Sequence, residues 1–118
     1  MENIVKDKSY AFALRIIKLY QFLTNEKNEF VISKQILRSG TSIGANLREA
    51  EHAQSRKDFL NKINIALKEA NETDYWLDLL SDSNYIDKTA YQSVKEDTTE
   101  LLKLLIRIVK TLKSEKNS

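Results

Sequence analysis

A chain of 118 residues is long enough for one domain around one core. With no proline, two glycines and 31% charged residues, it reads as an uninterrupted helical protein rather than a β-sandwich. The absence of cysteine excludes disulfides, thiolate catalysis and cysteine-based metal sites.

The opening MENIVKDKSY lacks the apolar centre of a signal peptide, and no apolar run approaches the ~20 residues of a membrane span. A cytoplasmic protein with no membrane partner is the expectation. The formal net charge of +2 is unevenly spread. Residues 101–118 hold Lys103, Arg107, Lys110, Lys113 and Lys116 against Glu115 alone. Such a basic end permits nucleic-acid binding without demonstrating it.

In chain order, the first helix is predicted over about residues 9–24, with Phe12, Ile16, Leu19 and Leu23 as its stripe. NEKNEF has no apolar period and reads as a turn. Ser33 is placed to cap the second helix, about residues 33–53, with Ile32 and Leu37 as a hydrophobic staple. Within it, Ser39-Gly40 could end one helix and start another. The alternative is one helix straight through: Ile36, Gly40, Ile43, Leu47 and Ala50 hold one face without a slip, and that phase favours continuity. Interior glycines cost about 1 kcal/mol each relative to alanine, so a close-packed neighbouring helix should offset them.

Ser55 followed by Asp58 fits a cap for the third helix, about residues 55–81. Phe59, Ile63, Ala66, Ala70, Thr73, Leu77 and Leu80 form its regular stripe, the clearest amphipathic pattern in the chain. SDSN is the next turn, and Ile86, Asp87 and Tyr91 supply a staple and cap for the fourth helix, about residues 87–112. Residues 114–118 are expected to fray.

Helix four is apolar over an arc of roughly 200°, where an ordinary surface helix needs little more than ~100°. Helix one is similarly wide, with Leu14, Ile17 and Phe22 off its main stripe. Coverage by a second subunit is expected for the surplus.

The run Ser42-Ile43-Gly44-Ala45-Asn46-Leu47, then Glu49-Ala50, Ser55 and Phe59, resembles the signature of a bacterial four-helix-bundle family known as 23S ribosomal RNA intervening-sequence proteins. Leu47 stands where the pattern commonly has Ile. A more distant similarity is to the accessory variability protein of diversity-generating retroelements. The resemblance implies a ring-shaped homo-oligomer, a pentamer by preference, and RNA, DNA or a nucleic-acid-handling protein as partner. It implies no catalytic residues. Gly40, Ser42, Ile43, Gly44, Asn46, Glu49, Ser55 and Phe59 constitute the structural signature.

Residue by residue, little suggests chemistry. His52 is the only histidine, and a metal site needs further convergent ligands, so no metal and no cofactor are expected. Asn46, one place off the apolar stripe, suits a hydrogen bond that fixes register. Tyr75 and Trp76 cannot both follow the core stripe, so one should face outward. Lys103, Arg107 and Lys110 share one stripe at i, i+4 and i+7, which reads as a solvated face or as a row of phosphate contacts. With Lys113, and with Arg38 and Arg48 around the signature beside Arg56 and Lys57, they are the candidate nucleic-acid-binding residues.

The expected architecture is therefore an all-α, up-down-up-down antiparallel four-helix bundle over residues 1–118. Its expected role is non-catalytic: a homo-oligomer that binds nucleic acid or scaffolds a partner that does, with a protein-only assembly module as the alternative.

Overall fold

The computed structural model describes residues 3–117 and consists of four helices: α1 (Asn3–Asn25), α2 (Ile32–Ala50), α3 (Arg56–Asp82) and α4 (Lys88–Asn117). Each packs against its neighbours in the order α1–α2–α3–α4, and α4 closes the bundle against α1. The α1–α4 seam is the sparsest, and among the described residues the backbones of diagonal helices do not approach one another closely. The molecule is a rod of 50 × 22 × 21 Å.

Helix boundaries follow from which side chains reach the core. α1 starts at Asn3, six residues before its predicted start, because Val5 and Ser9 continue the stripe of Phe12 and Ile16 inward and are fully buried. Charge around them hid this phase. Similarly, α4 runs to Asn117 rather than 112, and α2 stops at Ala50 rather than 53. The last turn of α2 tightens: the His52 and Ala53 amides donate to the Glu49 and Ala50 carbonyls, three residues back.

The α2 cap differs from the expected one. Ser33 is buried inside the helix, and Val31 at the N-cap position makes no side-chain cap bond. The Glu29 carboxylate does the capping, accepting from the backbone amides of Val31 (3.2 Å), Ile32 (3.0 Å) and Ser33 (2.6 Å). Ser33 Oγ returns a bond to the Glu29 carbonyl. A carboxylate so placed meets both the orphan donors and the positive end of the helix dipole. The turn into it needs Asn28 at φ 52°, a conformation asparagine tolerates better than most residues. Two caps agree with the sequence: Ser55 Oγ accepts from the Asp58 amide, and Asp87 Oδ1 from the Ala90 amide.

α2 is continuous through Gly40 and Gly44, and neither has positive φ. The neighbour pressed against them is α1. A Cβ on Gly40 would lie 2.9 Å from both Cγ1 and Cγ2 of Ile16, and one on Gly44 would lie 3.3 Å from Ser9 Oγ. On the opposite side of α2, the hydroxyls of Ser39 and Thr73 lie 2.9 Å apart, both fully buried, and pin α2 to α3. The α3 stripe predicted from Ile63 to Leu80 is buried throughout, with Phe59 half-buried at its start.

Candidate nucleic-acid interface and apolar groove

α4 carries Lys103, Arg107 and Lys110 along one outward ridge, with Lys113 about 80° further round the helix at its end, all exposed. A helix rise of 1.5 Å per residue spreads these four cations over about 15 Å. Among the described residues, no carboxylate pairs with any of them. Elsewhere the bundle is laced by ion pairs: Lys6 with Glu51, Lys8 with Glu100, Arg15 with Asp97, Lys62 with Glu49, and Lys95 with Asp74 and Asp78. The ridge therefore faces solvent with its charge unspent. Of the four, Lys113 alone approaches the last turn of α4, where the negative end of the dipole favours a cation.

The other basic candidates lie elsewhere. Arg38 is held by Glu69 at 3.1 Å and by Glu72, whose hydrogen bond pushes the guanidinium pKa up. The Glu72 carboxylate also accepts from Trp76 Nε1 at 3.0 Å, and this bond, together with its pairing to Arg38, holds it below the usual carboxylate range. Arg48 is exposed. Both arginines belong to α2, diagonal to α4, so the structure does not bring them to the ridge. Arg56 pairs with Glu115, and Arg56 and Lys57 line a cavity with Leu60 and Leu112 where α3 begins beside the end of α4.

The signature residues make packing contacts. Ile43 is buried, Ser42 Oγ donates to the Arg38 carbonyl at 2.6 Å, and Ser55 is the α3 cap. Asn46 Nδ2 donates to the Ser42 carbonyl at 2.8 Å. That bond stays inside α2; the buried polar link between α2 and α3 is Ser39–Thr73 instead. Glu49 is exposed, 3.7 Å from Lys62, and His52 is exposed in the turn that follows α2. No group of three His, Cys, Asp or Glu that could hold a metal ion occurs among the described residues.

A second feature is a groove of about 510 Å³ between α1 and α2. Its floor is small, with Ser9, Ala13, Gly44 and Ala45, and its walls include Tyr10, Leu14 and Ile17. These three side chains remain 60%, 49% and 38% exposed, enough to mark the groove as the main uncovered apolar strip. Sequence reading singled out Leu14 and Ile17 but not Tyr10. The i, i+4, i+7 spacing of all three, running beside the core stripe, is the signal that finds it. The wide arc of α4 proves better covered: Leu101, Leu105 and Val109 are buried, Leu102, Leu104, Ile108 and Leu112 are half-buried, and Ile106 alone stays exposed. Tyr75 faces outward, and the half-buried Trp76 meets it edge-on at 5.1 Å.

Fold and surface together define a small antiparallel helical bundle with a cationic ridge and an apolar groove on different faces. The family model of the 23S rRNA-intervening sequence protein matches residues 1–107, and the chain belongs to that family. It is also similar to a protein of unknown function from the S23 ribosomal protein family of Bacteroides thetaiotaomicron, whose crystal structure is known at 1.70 Å. The two are 68% identical, with a TM-score of 0.89 over 90% of this chain and 98% of the other. Comparison with curated proteins gave no match. No helix among the described residues is long and apolar enough to cross a membrane.

Proposed function

We propose that the protein acts without catalysis, in the cytoplasm, as a homo-oligomer that binds nucleic acid through charge. The observation carrying this reading is the run Lys103–Arg107–Lys110–Lys113, four exposed cations within about 15 Å of one helix and none in an ion pair among the described residues. A row of free cations meets phosphates and releases counterions, so binding is strong at low salt and indifferent to sequence. Repetition of the ridge by symmetry in an oligomer turns a modest patch into a multivalent surface. The family's description, which refers to an intervening sequence of 23S rRNA, agrees with a nucleic-acid setting.

The test is binding of labelled mixed-sequence nucleic acid across a salt series. Affinity should fall steeply with salt, and charge reversal at Lys103, Arg107 and Lys110 should abolish binding while helix content stays constant. Absence of binding at low salt, or binding indifferent to those changes, favours a second reading. That reading is a protein-only assembly module, for which the groove walled by Tyr10, Leu14 and Ile17 is the specific support.

A further inference from the structure

The exposed aromatic rings of this molecule all lie away from its cationic ridge. Proteins that hold single strands interleave cations with rings on which unpaired bases stack. Among the described residues, the exposed rings are Tyr10, Phe22, Phe30 and Tyr75. Tyr10 lines the α1–α2 groove, on the side of α1 away from α4, which is met instead through Lys8 and Arg15. Phe22 and Phe30 flank the α1–α2 turn. Because Arg15 pairs with the backbone and side chain of Ser93 and with Asp97, that turn lies towards the opposite end of α4 from the ridge.

Tyr75 is placed by the bonds of Lys95 to Asp74 (2.7 Å) and Asp78 (3.1 Å), which flank it on α3. That level on α4 is about 12 Å short of Lys103 at 1.5 Å per residue. Its surroundings are the carboxylates Glu72, Asp74 and Asp78, already matched to Arg38 and Lys95, so no free cation stands beside the ring to hold a phosphate. On the ridge itself the intervening exposed side chains are Ile106 and Thr111, and neither offers a π-face.

From this arrangement we infer that the ligand is a double-stranded nucleic acid, gripped along its phosphates by the α4 ridge with its bases left stacked. The inference rests on the nucleic-acid reading above and narrows it. The ~15 Å from Lys103 to Lys113 spans roughly four base-pair steps of a duplex at 3.4 Å each. Each protomer would then neutralise about four phosphates. Phosphate contacts of this kind position a duplex but do not read its sequence.

The experiment compares four probes of equal length against the full chain by fluorescence anisotropy over a salt series. They are a mixed-sequence RNA duplex, the matching DNA duplex, oligo-uridine and oligo-thymidine. At least one duplex should bind about tenfold or more tighter than either single strand, with a slope of log K on log salt of about −3 or steeper. Comparable binding of both duplexes points to backbone charge alone, and preference for the RNA duplex points to A-form shape; both support the inference. Replacing Lys103, Arg107 and Lys110 together with Gln should flatten that slope by about 2 to 3, whereas Tyr75→Ala should leave duplex binding unchanged. Equal or tighter binding of a single strand, or loss of binding on removing the Tyr75 ring, overturns the inference while leaving nucleic-acid binding intact. Failure of all four probes to bind overturns both.

Discussion

Ile16 of α1 occupies the space that a side chain at Gly40 of α2 would need: both its Cγ atoms lie 2.9 Å from where a Cβ would sit. Four residues along, the same helix pair leaves more room, since the nearest atom to a Cβ at Gly44 is the Ser9 hydroxyl at 3.3 Å. The two glycines of the signature therefore do different work.

At Gly40, substitution by alanine gains about 1 kcal/mol of helix propensity but forces a β-branched side chain in a fully packed core to move. Overpacking of this kind costs about 1–3 kcal/mol, so Gly40→Ala should destabilise the fold. At Gly44 the obstacle is one hydroxyl, bonded to the Lys6 carbonyl, that need give by only a few tenths of an ångström, and the propensity gain should dominate. Gly44→Ala is expected to be neutral or stabilising by up to about 1 kcal/mol. Urea denaturation of the two single variants checks the opposite signs. If both variants lose stability equally, the distinction between the sites is wrong.

Glu72 supplies a pH-dependent prediction with a built-in reporter, because Trp76 is the only tryptophan and its Nε1 donates to this carboxylate. The folded-state pKa of Glu72 is lowered, first by the Trp76 bond and further by Arg38, against an opposing effect of burial. A carboxyl with a depressed folded pKa adds stability above its unfolded value of about 4.3, and that stability is lost as pH falls through the folded value. Tryptophan emission should hold steady from neutral pH downward and then shift in acid as the carboxylate protonates. Glu72→Gln should remove the shift and reduce the acid sensitivity of folding. Glu51, lowered mainly by its hydrogen bond with Lys6, titrates the same way but far from the indole, so Glu51→Gln is the control. An emission transition that persists in Glu72→Gln would assign it elsewhere.

The parts of this structure legible in sequence are those fixed by period. The unbroken phase from Ile36 to Ala50 distinguishes one helix from two, and the α3 stripe alone marks six residues that are buried. What stayed hidden depends on residues far apart or on a side chain's reach. Glu29 sits in a polar stretch that resembles any loop, yet it is buried and caps α2 because its carboxylate folds forward over three amides. Arg38 looked like a partner for Arg48 and Arg56 because its acids, Glu69 and Glu72, lie over thirty residues away in α3. The ridge was legible in part: spacing placed Lys103, Arg107 and Lys110 on one face, but only the folded chain shows which cations are already matched.

Self-association rests on the strip Tyr10, Leu14 and Ile17, three neighbouring apolar side chains that the bundle leaves uncovered, where among the described residues α3 and α4 expose only the single large side chains Tyr75 and Ile106. A stable interface buries at least about 1,000 Å² in total, more than three side chains provide, so the strip would be the centre of a larger contact. Sedimentation should show a species several times the 13.7 kDa chain mass, with five subunits the preferred number from the family resemblance. Leu14→Glu combined with Ile17→Lys should return the protein to monomer mass. Both positions are exposed in the single chain, so the helical fold should survive, and circular dichroism confirms or denies this. Ile106→Glu, on the largely covered arc of α4, tests whether the contact centres there instead. Dissociation by Ile106→Glu alone would move the interface to α4, and a wild-type monomer at micromolar concentration would remove the case for self-association altogether.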